Sequence, residues 1–143
     1  MSDIERQKSI ELAELAKQVA ASDEAALRFC VSLSAISRTW DHIADGDPID
    51  KDLANEAFLN LILEWPINPF VRAHAASLVP VMAAAISAWR NSEMPGCRIK
   101  AYDAISEVWS TVAFILGGWQ RVNMVMPAVR AALVAQCQDN DER

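Results

Sequence analysis

Cysteine, glycine, proline, tyrosine and histidine are all scarce in this chain, and each scarcity narrows the field. The three cysteines, Cys30, Cys97 and Cys137, lie far apart and form no paired motif. An odd count without a framework argues against a disulfide-stapled secreted fold, and none has the spacing of a zinc site. Glycines number 4 and prolines 6, β-branched runs are few, and alanine and leucine are plentiful. That balance favours helix over sheet. No Gly-rich phosphate loop, Walker-type run or Ser-His-Asp order occurs. The longest apolar run, around residues 78–89, is shorter than the roughly 20 residues of a bilayer-spanning helix. The start, Met1-Ser2-Asp3-Ile4-Glu5, is acidic and unlike a signal peptide. The expectation is a cytoplasmic protein without a membrane partner.

Basic clusters are missing too. Net charge is −6, with 13 acids and 6 bases in residues 1–64 and 6 acids and 7 bases in residues 65–143. The first part repels phosphate backbones, and the arginines of the second are dispersed, so no nucleic-acid partner is expected.

What the chain does have is helical recurrence over 143 residues, of which 52% are hydrophobic and 22% charged. That is enough for a core without staples. Ser2-Asp3-Ile4-Glu5 reads as a capping box opening a first helix to about Ala21. Ser22-Asp23-Glu24 caps a second, from about Glu24 to Ala44, which stops in Asp45-Gly46-Asp47-Pro48. Asp47 or Asp50 caps a third, ending before Pro66. Asn68 and Pro69 restart the chain as N-cap and N1. The fourth helix runs to about Trp89, with a kink expected at Pro80. Its apolar residues lie almost all round, which predicts a central helix with Val79, Met82, Ala83 and Ile86 buried. Met94-Pro95-Gly96 is a turn; a fifth helix spans about Arg98–Leu116, and a sixth starts near Trp119 after Gly117-Gly118. The polar tail from Gln138 is expected to fray. The fold class is therefore all-α, a single-domain bundle of about six helices with short connections. The 5 tryptophans read as core or interface anchors.

The least generic stretch is Arg38-Thr39-Trp40-Asp41-His42-Ile43-Ala44-Asp45-Gly46-Asp47-Pro48. Asp41 and Asp45 are one helical turn apart, with Asp47 just beyond. Carboxylates so spaced can share Mg²⁺. Glu56 and Asp103 belong to two further i,i+4 acidic pairs, Asp52/Glu56 and Asp103/Glu107, that a bundle could bring near. The competing reading is a solvated helix face, with Arg38 pairing Asp41 and Ser106 and Ser110 marking the Asp103/Glu107 face as wet. A calcium loop counted from Asp45 fails at two required positions, Ile49 and Asp50. Di-metal carboxylate sites use Glu-x-x-His, and neither His42 nor His74 has that Glu. Arg72 and His74, close together after Asn68-Pro69-Phe70, are the candidate ligand-binding pair; a hydrogen-bonded structural His is the plainer reading of His74.

Trp40-Asp41-His42-Ile43-Ala44-Asp45-Gly46-Asp47-Pro48, then Asn68-Pro69-Phe70-Val71-Arg72-Ala73-His74, then Ala88-Trp89-Arg90 resembles a group of small helical proteins encoded in bacteriophage and prophage regions. The likeness covers roughly residues 36–92 and implies a context, not a catalytic residue. With no catalytic motif, the expected function is a non-enzymatic helical accessory module, forming a homodimer or binding another protein, with no cofactor. The alternative is an Mg²⁺-dependent hydrolase of phosphorylated small molecules, with the carboxylates holding the metal and Arg72 and His74 serving the phosphate.

Overall fold

A computed structural model describes the backbone of residues 3–141, and the side chains within it except Glu5, Ser9, Tyr102 and residues 136–141. The expected Ser2 cap lies outside the described residues. The protein is all-α, and no strand occurs among the described residues. In chain order the elements are α1 (Asp3–Ala20), α2 (Glu24–Asp45), α3 (Lys51–Leu59), a π-helical turn (Asn60–Glu64), α4 (Trp65–Ile67), α5 (Pro69–Arg90) and α6 (Arg98–Asp141).

Local chemistry sets most boundaries. The Asp23 carboxylate accepts the Ala26 N–H at 2.8 Å and opens α2. Gly46, at φ 72°, closes it, a left-handed position that costs a glycine nothing. Asp50, not Asp47, caps α3, accepting the Asp52 N–H at 2.8 Å. The third helix was expected to stop before Pro66. Instead the helical path continues through the π turn, where the Trp65 N–H reaches back five residues to Asn60. Pro66 then falls in the first turn of α4, where its missing N–H breaks no bond.

The chain divides into two compact units, residues 1–22 with 76–143, and residues 23–75. In the first, α1 packs on α6. Leu12, Ala16, Val19 and Ala20 are buried from α1, and Val108, Trp109, Val112, Ala113, Val125, Met126 and Val129 from α6. The two helices expected over this last segment are both present, divided at Gly118 (φ 68°, ψ −165°). That single break folds the helix back on itself. Arg130 Nη1 lies 2.7 Å from both carboxylate oxygens of Asp103, whereas an unbroken helix would hold the two residues ~40 Å apart. At the turn Arg121 donates to the carbonyls of Gln18 at 2.9 Å and Val19 at 3.4 Å, closing the C-terminal end of α1. A side chain on Gly117 would sit 2.7 Å from that of Arg121, so this turn is built for glycine. The backbone is helical up to Asp141; the side chains of residues 136–141 lie outside the described set.

The second unit is organised around Phe29, fully buried. Its ring packs against Trp65 at 5.2 Å and Phe70 at 6.3 Å between centroids. Ala26, Cys30, Leu33, Ile36 and Ala57 complete the core. Asn68 is buried and satisfied on every side. Its Oδ1 accepts the N–H groups of Phe70 and Val71, which is the expected N-cap of α5. Its Nδ2 donates to the Ala25 carbonyl and to Glu64.

Two expectations about α5 need correction. Val79 is 56% exposed, Ile86 is 43% exposed and Ala83 is exposed, with Met82 only half-buried, so α5 is not the central helix. All-round apolarity removes the polar face that would mark an outside, so the pattern does not say which face is covered. The backbone departs from helical geometry at His74 (φ −121°, ψ 17°), ahead of Pro80. The helix does kink, but at a residue two positions before Ala76, the one whose carbonyl Pro80 crowds. At 22 residues α5 is also long and apolar enough to cross a bilayer by length and composition, where the run around 78–89 looked too short. A single helix of this kind assigns no location.

Candidate interaction surface

The carboxylates that the sequence singled out lie at the end of α2, on α3 and on α6. Asp41 is half-buried near the end of α2, and Asp45 and Asp47 are exposed at its terminus. Glu56 is exposed on α3. Asp103 belongs to the other unit, where its carboxylate is held by Arg130. Among the described residues, no three His, Cys, Asp or Glu side chains gather as a metal-binding group. Arg72 is exposed, and no ion pair involves it among the described residues. The His74 ring rests against Phe70 at 4.8 Å.

The Asp103/Glu107 face is not the wet stripe expected of it. Ser106, between them, is fully buried. Its hydroxyl donates to Asp103 at 2.7 Å and accepts from Arg130 at 2.8 Å, while Arg130 Nη2 reaches Glu107 at 2.9 Å. Burial alone would lower the Arg130 pKa, but its hydrogen bonds to Glu107 and Asp103, and their charges, hold it above the ordinary value. This fork ties the two halves of α6 together. Beside it a shallow cleft of about 200 Å³ has Val81, Ala84, Ala85 and Ala88 on one wall and Lys100, Asp103, Ala104 and Glu107 on the other. Trp109, in the core nearby in sequence, has no partner for its indole N–H among the described residues.

A second shallow cleft, about 310 Å³, lies in the unit of residues 23–75, between α2 and the π turn. Leu27 and Val31 form its apolar part; Arg28, Ser32, Glu56, Asn60 and Glu64 form the rest. Arg28 donates to Glu64 at 3.0 Å, and the Trp65 indole donates to Ser32 at 2.7 Å. These bonds occupy the groups that a small polar ligand would use.

The feature that stands out is the outer face of α3, the π turn and α4. Ala57 is buried there, and Asn60, Glu64 and Trp65 are half-buried, forming a thin inner seam. The start of α3 is polar outside, with Lys51, Asp52, Asn55 and Glu56 exposed and Leu53 and Ala54 half-buried; from Phe58 onward the exposed side chains are large and apolar. Phe58, Leu59, Leu61, Ile62, Leu63 and Ile67 are 42–68% exposed. Side chains of this size at those exposures present on the order of 600 Å², at the upper limit of the largest patch on a typical monomer. Sequence reasoning passed over this face. The signal was there in Phe58-Leu59-Asn60-Leu61-Ile62-Leu63, which has too few polar residues to mark a wet side.

Comparison with family models, with curated proteins and with solved structures finds no match to this chain.

Proposed function

We propose that the protein is a non-enzymatic, self-associating helical module. The observation that carries this reading is the face formed by Phe58, Leu59, Leu61, Ile62, Leu63 and Ile67. A patch of this size is unfavourable in water and is relieved when another apolar surface covers it. The carboxylates favour no hydrolase: Asp41, Asp45 and Asp47 line neither cleft, and Asp103 is engaged by Arg130. The resemblance of residues 36–92 to phage and prophage proteins adds the suggestion of an accessory role in that setting.

Sedimentation equilibrium across micromolar concentrations tests the reading. A dimer is expected, and Ile62→Asp with Leu63→Asp is expected to give a folded monomer with an unchanged helical circular dichroism spectrum. A wild-type chain that stays monomeric well above micromolar concentration overturns self-association. Flotation with lipid vesicles, abolished by the same two changes, would assign the face to a bilayer instead.

A further inference from the structure

The turn end of the α6 hairpin is apolar, exposed and firmly held. Its residues all belong to the unit of residues 1–22 with 76–143. Phe114 is 57% exposed, Trp119 66% and Met124 70%. The break at Gly118 puts all three within about 9 Å of the turn, measured along the two arms. The core here is made by Val112 and Ala113 on one arm and Val122, Val125 and Met126 on the other, so the three exposed side chains are spare to packing. No Asp or Glu occurs from residue 108 to residue 138. Of the two arginines in that stretch, Arg130 is held by Asp103 and Glu107, about 18 Å from the turn. Arg121 is bonded to the carbonyls of Gln18 and Val19. On α1, whose end Arg121 closes, Glu14 is paired with Lys17.

We propose that this turn inserts Phe114, Trp119 and Met124 into the headgroup–acyl boundary of a zwitterionic lipid bilayer, without spanning it. The inference is independent of self-association through the α3–α4 face. Four considerations select lipid. The exposed side chains lie on both arms and at the turn between them, and a fluid can surround all three, whereas one rigid partner surface meets a hairpin end from one side. Tryptophan, the residue at the turn itself, suits the membrane interface, where its apolar body and its polar N–H both find a match. Insertion carries no carboxylate into the boundary, where a charge is costly, and the Arg121 guanidinium keeps its carbonyl partners. The turn is also formed before it binds. Arg121 pins it to α1, and Gly117 lets that side chain pass at close range, so little ordering cost attaches to insertion. The expectation of no membrane partner rested on the lack of a spanning run in the sequence, which an inserted turn does not need.

Flotation of the full chain with phosphatidylcholine vesicles tests this. The wild type is expected to float. Trp119→Ser and Met124→Ser should each weaken partition about tenfold, and the two together with Phe114→Ser should abolish it, with the helical circular dichroism spectrum unchanged. A site-specific measurement does not depend on those variants folding. With Cys97 and Cys137 replaced by serine, Cys30 remains buried and unreactive. A fluorophore on Gln120→Cys, an exposed position beside Trp119, is then expected to be quenched by spin-labelled lipid, and one on Ile62→Cys is not. Quenching at Ile62→Cys and not at Gln120→Cys would assign the contact to the α3–α4 face and overturn insertion of the turn. Flotation only with anionic lipid would put charge in control and overturn it also, as would a triple variant that folds and still floats. A wild type left at the bottom of the gradient overturns it outright, whatever sedimentation equilibrium shows of the dimer.

Discussion

On the inner side of residues 23–75, Phe29 is fully buried between Trp65 and Phe70; on the outer side, Phe58 is 63% exposed in a row of other apolar residues. The two side chains are chemically identical, and their difference lies in what surrounds them. Phe29 sits on a helix with a wet side, where Glu24, Arg28 and Arg38 are exposed and turn the apolar face inward. Phe58 opens a stretch, up to Ile67, with one thin inner seam and apolar side chains over nearly all the rest. Hydrophobicity therefore drives burial within the chain in one case and leaves a surface to be covered in the other. The sharpest way to break the comparison is to truncate both. Phe29→Ala is expected to destabilise by about 3–5 kcal/mol through transfer and cavity terms. Phe58→Ala is expected to cost under about 1 kcal/mol in dilute solution, as surface changes do. At high protein concentration it should cost more, because coupled association stabilises the folded form by mass action. Urea denaturation at two concentrations separates these outcomes. Equal losses at both positions in dilute solution would place Phe58 in a core.

A smaller effect comes from Cys30, which shares the inner side. Burial pushes its thiol pKa from 9.0 up to about 12. The group is a neutral acid whose folded pKa lies above the unfolded one. Its contribution is fully present below about pH 9 and is lost as the pH rises towards 12. Across that window the unfolded state gives up a proton that the folded state keeps, so stability falls by about 1.4 kcal/mol per pH unit. Cys30→Ala should flatten this part of the stability–pH profile. Half-buried Cys97, by contrast, should react with a thiol reagent in the native state. Native reaction of Cys30 at the rate of Cys97 would show that the inner side is open to solvent.

What was legible in the sequence was local. Asp23, Gly46, Asn68 and the break at Gly118 each act through bonds or dihedrals within a few residues, and each stands where its spacing indicated. What was hidden depended on partners far along the chain. The fork of Arg130 onto Asp103 and Glu107 spans 27 and 23 residues, and Arg121 reaches the carbonyls of α1 from more than 100 residues away. Charge spacing on one helix cannot show that another helix supplies the counter-ion, so the Asp103/Glu107 pair looked solvated. The exposed faces of α3–α4 and α5 were hidden for the opposite reason. An apolar residue reads the same whether its cover is its own chain or something else.

The acidic stretch at the end of α2 offers the smallest effect, and its sign distinguishes two surfaces. Asp45 and Asp47 are exposed and Asp41 is half-buried. If the three carboxylates faced one another closely, their repulsion would lower the metal-free stability. Mg²⁺ would then raise the melting temperature by binding only the folded chain. Asp41→Asn with Asp45→Asn would raise the metal-free value and abolish the response. If the carboxylates share no cation, millimolar Mg²⁺ does no more than matched ionic strength, since exposed charges are screened. The double change then costs a few tenths of a kcal/mol from lost surface interactions. The exposures of Asp45 and Asp47 favour the second outcome. A set of thermal melts of the wild type and the double variant, with Mg²⁺ and with matched salt, reads both signs at once. A metal-specific rise lost in the double variant would move this stretch from solvated surface to binding site.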